Sequence, residues 1–233
     1  MRQAFHTPVR TRLLRVFLKP LFRFLFGMLG RVKVIGKENI PFGQPYIVAI
    51  NHISIFDPPL AVAFWPETAE VIAAADIWDK PGQNLVVGLY GSLPVHRGEY
   101  DRAILERVLG ALRAGRPLVI APEGGRSHVT SMRQAMPGIS FIVEQADVPV
   151  VPVGLVGTTE DFWQRARRGQ RPPLEVRIGK PFRLPRITGS GPERRLARQR
   201  NADLVLQHVA GLLPPEYRGF YADTAILPTQ TDQ

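Results

Sequence analysis

The feature that most constrains the fold of this chain is an alternation of short, β-branched apolar runs with longer stretches of helical periodicity, sustained from residue 31 to residue 213. Residues 31–35, 46–50, 70–74, 118–121, 148–156 and 174–178 read as strands, and 58–64, 100–114, 139–145 and 193–213 as helices. The apolar run 85–89 suits either type, the basic stretch 165–171 reads as a loop, and Gly189-Ser190-Gly191-Pro192 breaks the chain before its last helix. Strands such as Tyr46-Ile47-Val48-Ala49-Ile50 carry no polar alternation, so both of their faces must be covered, and helices on either side of a parallel sheet do that. The expectation is an α/β fold: a single domain with a mixed, largely parallel sheet flanked by helices. At 233 residues and 45% hydrophobic the chain has enough apolar material for such a core.

The amino end has a different character. Arg2, Arg10, Arg12, Arg15, Lys19, Arg23, Arg31, Lys33 and Lys37 all precede the first acid, Glu38. Arg12, Arg15, Lys19 and Arg23 are spaced 3, 4 and 4, so a helix gathers them into one polar stripe bordered by Leu, Phe and Val. A charge at the centre of a bilayer costs roughly 2.5–3.5 kcal/mol, which disfavours a membrane span here, and Pro20 adds a break. An amphipathic helix pair lying in a membrane interface reconciles these facts, its apolar face in the acyl boundary and its cations at lipid phosphates. Two other readings suit the same residues: a helix covering the domain's own core with a solvated basic stripe, or a cleaved transit peptide. We therefore divide the chain into a basic amphipathic membrane-docking element (1–37), a domain carrying the chemistry (38–215) and a carboxy-terminal tail (216–233). The localisation that follows is peripheral, on the cytoplasmic face of a membrane.

The net charge of +10 calls for an anionic partner, whether nucleic acid, anionic lipid or a phosphorylated substrate. The basic excess of 165–200 comes without a nucleic-acid motif or interleaved aromatics, so no specific nucleic-acid partner is expected. The absence of cysteine excludes disulfides, thiolate catalysis and cysteine metal sites. His6, His52, His96, His128 and His208 form no metal-ligand spacing, so no metal is expected.

Chemistry concentrates where strands end. The run 46–50 leads directly into Asn51-His52, the usual location of sites in open α/β sheets. His52 and Asp57 are five residues apart, about 140° of helical rotation, so a turn must bring them together. Asp57 precedes Pro58-Pro59 and suits a helix cap, while His52 suits a hydrogen-bonded turn residue. As a pair they suit a dyad, in which the carboxylate fixes the imidazole tautomer and the free nitrogen accepts a proton. There is no Gly-x-Ser-x-Gly elbow, and Ser54 is a weak nucleophile candidate, so direct attack by a substrate hydroxyl is favoured over an acyl-enzyme. Two later stretches, Gly91 to Gly98 and Ala121-Pro122-Glu123-Gly124-Gly125-Arg126-Ser127, pair glycines with an arginine fork that matches phosphate oxygens. An acid such as Glu123, set between a buried strand and an arginine loop, is unusual as a purely stabilising residue.

In these residues the chain resembles the glycerolipid acyltransferase family typified by 1-acylglycerol-3-phosphate acyltransferase. Asn51, His52 and Asp57 match that family's Asn-His-x-x-x-x-Asp block, which implies His52 as general base and Asp57 as its orienting carboxylate. Gly91 and Arg97 match a glycine, apolar run and arginine block, implying acceptor-phosphate binding. Residues 121–127 match Phe-Pro-Glu-Gly-Thr-Arg-Ser, with Ala121 and Gly125 in place of Phe and Thr; Glu123, Gly124 and Arg126 are implied in acceptor recognition. Val151-Pro152-Val153 matches an apolar strand block associated with the acyl donor, which brings in Pro152.

The resemblance implies transfer of a fatty acyl group from an acyl-CoA or acyl carrier protein thioester to the free hydroxyl of a lysophosphatidate-like acceptor, making phosphatidate with no bound cofactor. The implied partners are a lysophospholipid acceptor, the acyl donor and an anionic membrane surface. A different lipid acceptor, a (thio)esterase, or a non-catalytic lipid-binding protein on the same fold are the alternatives.

Overall fold

The computed structural model describes residues 5–96, 98, 101–127 and 129–228. Its order is α1 (Val9–Leu29), β1 (Arg31–Ile35), β2 (Ile47–Ile50), α2 (Asp57–Phe64), β3 (Glu70–Ala74), α3 (Gln83–Tyr90), β4 (Leu93–Val95), α4 (Arg102–Arg113), β5 (Leu118–Ile120), α5 (Gly138–Ala146), β6 (Val150–Val156), α6 (Phe162–Arg167), β7 (Pro173–Ile178) and α7 (Gly191–Gly211). Short 3-10 turns at Pro215–Tyr217 and Gly219–Tyr221 follow α7.

The strands form one seven-stranded sheet in the order β1-β7-β6-β2-β5-β3-β4. Every pairing is parallel except β6 with β7, so β6, β2, β5, β3 and β4 run one way and β7 and β1 the other. The expected mixed, largely parallel sheet is therefore present, flanked by helices. β2 lies at its centre with all four residues buried. Its period-2 geometry divides them: Val48 and Ile50 join a core with Phe26 of α1, Leu60 of α2 and Phe162 of α6, while Ile47 and Ala49 join Val108 and Leu112 of α4, Ile139 of α5 and Val205, Leu206 and Val209 of α7. Because five strands share a direction, the loops after β2, β5, β6, β3 and β4 all leave one edge of the sheet.

Some expectations change, and the element type left open for 85–89 is resolved. The amino-terminal helix pair is one helix, continuous through Pro20. Proline removes the hydrogen bond to the carbonyl of Val16, which lies on the outward side where the Val16 side chain is 66% exposed, and inward contacts on both sides of Pro20 hold the helix together. Those contacts come from the cations. The Arg15 guanidinium pairs with both oxygens of Glu70 at 2.7 Å, Lys19 Nζ donates to Pro66 O at 2.8 Å and Arg23 Nε to Ala63 O. Three of the four stripe cations thus fasten α1 to the domain, and the outward face carries Leu13, Val16, Phe17, Leu21, Phe24 and Met28.

The 85–89 run is helical, as α3. Part of the 165–171 stretch is helical too, because Phe162 and Ala166 are buried one turn apart and anchor α6. Residues placed in the carboxy-terminal tail fold back instead, with Tyr217 and Tyr221 buried in the core around α7.

Candidate active site

β2 delivers Asn51 and His52 to the sheet edge, and a turn over 53–56 returns the chain to α2, whose first residue is Asp57. His52 Nδ1 lies 3.2 Å from Asp57 Oδ2. The same oxygen accepts the backbone N–H groups of Ile53 at 2.7 Å and Ser54 at 2.6 Å, and Oδ1 accepts the hydroxyl of Thr158 at 2.5 Å. Asp57 is completely buried, and His52 keeps 15% of its side chain exposed. With three donors already directed at it, Asp57 is an acceptor for His52, which places the ring proton on Nδ1 and leaves Nε2 as the basic nitrogen. The helix-cap expectation for Asp57 is corrected: its carboxylate reaches back to residues 53 and 54. Pro58 and Pro59 offer no N–H ahead of it.

β5 ends beside β2 and delivers the third block to the same edge. Glu123 is 2% exposed. Its Oε1 accepts the backbone N–H of His52 at 2.7 Å and its Oε2 that of Arg133 at 2.9 Å, while Ser127 N donates to His52 O at 2.8 Å. Burial pushes the Glu123 carboxyl up to about 7; its two backbone hydrogen bonds oppose that shift without cancelling it. Gly124 turns the chain at φ 68°, and a Cβ there would come within 2.7 Å of Met136. Arg126, two residues on, is exposed and makes no ion pair with any described residue.

The other sequence-predicted residues either brace this edge or lie away from it. Asn51 is buried, and its amide mimics a ladder pair with Leu155, donating to Leu155 O at 3.0 Å and accepting from Leu155 N at 2.7 Å. Both ends of the amide are thereby engaged, which suits a residue that fixes the turn and not a substrate contact. Gly91 caps α3 in the left-handed region, against Thr11, and precedes β4; it lies at the edge where the strands begin, opposite His52. Pro152 is buried in mid-strand opposite Ala49, and its carbonyl accepts Gly179 N at 2.9 Å. Neither Gly91 nor Pro152 is brought to the His52 edge. Arg97 lies outside the described residues. Ser54 is buried with Oγ accepting Phe56 N at 3.3 Å, a turn role. Among the described residues no group of three or more His, Cys, Asp or Glu could hold a metal.

Sequence reasoning missed Thr158. Its one signal is position: it stands just past β6, whose end abuts that of β2. Ile55, Phe56 and Trp163 also gather at this edge, with Phe56 and Trp163 stacked at 6.2 Å between centroids.

Fold and site together define an α/β domain whose parallel strand ends assemble a histidine–aspartate pair and a buried glutamate. Residues 31–156 match the family model described as Acyltransferase, and the chain belongs to that family. It is 27% identical over 170 residues to the human 1-acyl-sn-glycerol-3-phosphate acyltransferase alpha, covering 72% of this chain and 59% of that one. It is 31% identical over 150 residues to the lyso-ornithine lipid O-acyltransferase of Pseudomonas aeruginosa, covering 64% of this chain and 55% of that one. Among solved structures it is similar to the 1-acyl-sn-glycerophosphate (LPA) acyltransferase PlsC of Thermotoga maritima, with a TM-score of 0.56 and 26% identity over 84% of this chain and 78% of the other. The chain spans about three fifths of the length of the curated relatives it matches first.

Proposed function

We propose that this protein transfers a fatty acyl group from an acyl thioester, carried on coenzyme A or acyl carrier protein, to the free hydroxyl of a lysophosphatidate-like acceptor, making phosphatidate. His52 Nε2 takes the hydroxyl proton as the oxygen attacks the thioester carbonyl carbon. The C–S bond of the resulting tetrahedral adduct breaks, and the leaving thiolate takes the proton from His52. Asp57 holds Nδ1–H and stabilises the transient imidazolium. Arg126, with Arg97, supplies charge for the acceptor phosphate. The observation that carries this reading is the 3.2 Å contact between His52 Nδ1 and a fully buried Asp57, which leaves the opposite nitrogen basic.

Glu123 is better read as a clamp on the His52 backbone than as a direct contact to acceptor, since both its oxygens are engaged. The names of the relatives support the lysophosphatidate acceptor. The P. aeruginosa relative favours a second reading in which the same chemistry serves another lyso-lipid. Supporting a membrane site, the outward face of α1 is apolar along its length. Among the described residues no helix is long and apolar enough to cross a membrane, and the reading is a peripheral protein on the cytoplasmic face of an anionic membrane, with α1 in its interface.

The test is a lipid-resolved assay of the purified protein with acyl-CoA and acyl carrier protein donors and a panel of lyso-acceptors. Acylated lysophosphatidate is the expected product. Acylation of lyso-ornithine lipid alone would favour the second reading, and release of free fatty acid without acylated lipid would replace both with a thioesterase.

A further inference from the structure

The His52–Asp57 pair is braced from a part of the chain that lies beyond all four sequence blocks. After α7 the 3-10 turns at Pro215–Tyr217 and Gly219–Tyr221 fold back across the loop between β5 and α5. Tyr217 is 5% exposed and touches the site in two directions. Its carbonyl accepts Met132 N at 2.9 Å, and Met132 O accepts Phe220 N at 3.1 Å. The turn held in this way presents the next backbone N–H, that of Arg133, to Glu123, whose other oxygen grips the backbone of His52.

The phenol works on the other side. Tyr217 Oη accepts the backbone N–H of Gly157 at 3.1 Å, immediately before Thr158, whose hydroxyl donates to Asp57. Burial raises the Tyr217 phenol above its ordinary range, and the nearby carboxylates of Glu216, Asp57 and Asp161 add to that. At physiological pH it is therefore neutral.

We propose that Tyr217 is a positioning residue for acyl transfer: its phenol fixes the exit of β6 so that Thr158 meets Asp57, and its backbone fixes the turn that lets Glu123 hold His52. The inference rests on the His52 mechanism proposed above. Removing the hydroxyl leaves the Gly157 N–H without its partner and frees the strand exit to shift. A misplacement on the order of 1 Å at a reacting group lowers rate about a hundredfold.

Tyr217→Phe keeps the ring and the Met132 backbone bond. Its kcat per folded molecule, with the folded fraction read by circular dichroism, is expected to fall roughly ten- to a hundredfold while KM for donor and acceptor stays within about twofold. Thr158→Val should fall by a similar factor and Thr158→Ser should recover most of the loss. Tyr217→Phe combined with Thr158→Val should be no slower than the slower single variant, because both act through one strand exit. Wild-type kcat in Tyr217→Phe, measured beside an inactive His52→Ala, would overturn the proposal while leaving the mechanism intact. Activity in a folded His52→Ala would remove the mechanism itself. If Tyr217→Phe does not fold, Thr158→Val decides: wild-type kcat there means the strand exit does not position Asp57.

Discussion

Arg15 and Glu70 meet in a bidentate ion pair, two contacts of 2.7 Å between side chains that are 3% and 2% exposed. The pair joins the second turn of α1 to the first residue of β3, with Arg15 also lying over the Tyr90 ring at 4.6 Å and Arg116 reaching Glu70 at 3.3 Å. Removing one partner of a buried pair strands the other charge, a loss of about 3–5 kcal/mol. Glu70→Gln is therefore expected to lower unfolding free energy by about 3 kcal/mol and to expose α1 to proteolysis before the rest of the domain unfolds. Chemical denaturation and limited proteolysis measure both.

His52→Ala tests the base. Proton transfer by a placed side chain contributes about 10²–10⁴-fold, and kcat should fall by at least the lower figure. The ring is partly exposed and its backbone contacts survive truncation, so the melting temperature should hold. Near-wild-type turnover in the folded variant would rule out His52 as the base.

Arg126 tests acceptor recognition. A charge-assisted hydrogen bond to phosphate is worth about 1.5–3 kcal/mol, so Arg126→Ala should raise the acceptor KM roughly ten- to a hundredfold with donor KM unchanged. An unchanged acceptor KM would make Arg126 an ordinary surface residue.

Glu123 gives a pH signature. An unfolded glutamate titrates near 4.5, and burial moves this one to about 7. Between those values the folded protein binds more protons than the unfolded chain, so this group's contribution to stability grows as pH falls through 7 and is complete below about 4.5. Activity moves the opposite way, because a protonated carboxyl grips the backbone N–H groups of His52 and Arg133 less firmly. The melting temperature of the wild type relative to Glu123→Gln should rise between pH 8 and pH 5.5. A difference that stays flat across that range would contradict the assignment.

The sheet was legible because its central strand is written as a continuous apolar run, 47–50, and its edge strand β1 as an alternation of basic and branched apolar residues; 31–35 and 70–74 match β1 and β3 residue for residue. β4 was not, being three residues long with Pro94 in its middle. α6 was hidden by its arginines, since only Phe162 and Ala166 mark its inner side. His52, Asp57 and Glu123 were readable from strand ends and local spacing. Thr158 and Tyr217 were not: the first meets Asp57 across 101 residues of sequence and the second meets Gly157 across 60, and no local pattern encodes such contacts. The amphipathic stripe of α1 was legible as a stripe, but its direction was set by Glu70 and the backbone carbonyls at the end of α2 and just after it, which only the folded domain supplies.

That reversal of direction has a practical consequence for handling the protein. A helix that met a bilayer through outward lysines and arginines would be washed off by concentrated salt. Arg15, Lys19 and Arg23 of α1 are engaged at its back and hydrocarbon lies in front, so the bilayer contact proposed for it would survive high ionic strength and yield to detergent. Since Phe17 and Phe24 touch little of the domain behind them, the same surface could be rewritten with polar residues to remove that proposed contact while the interior stays unchanged.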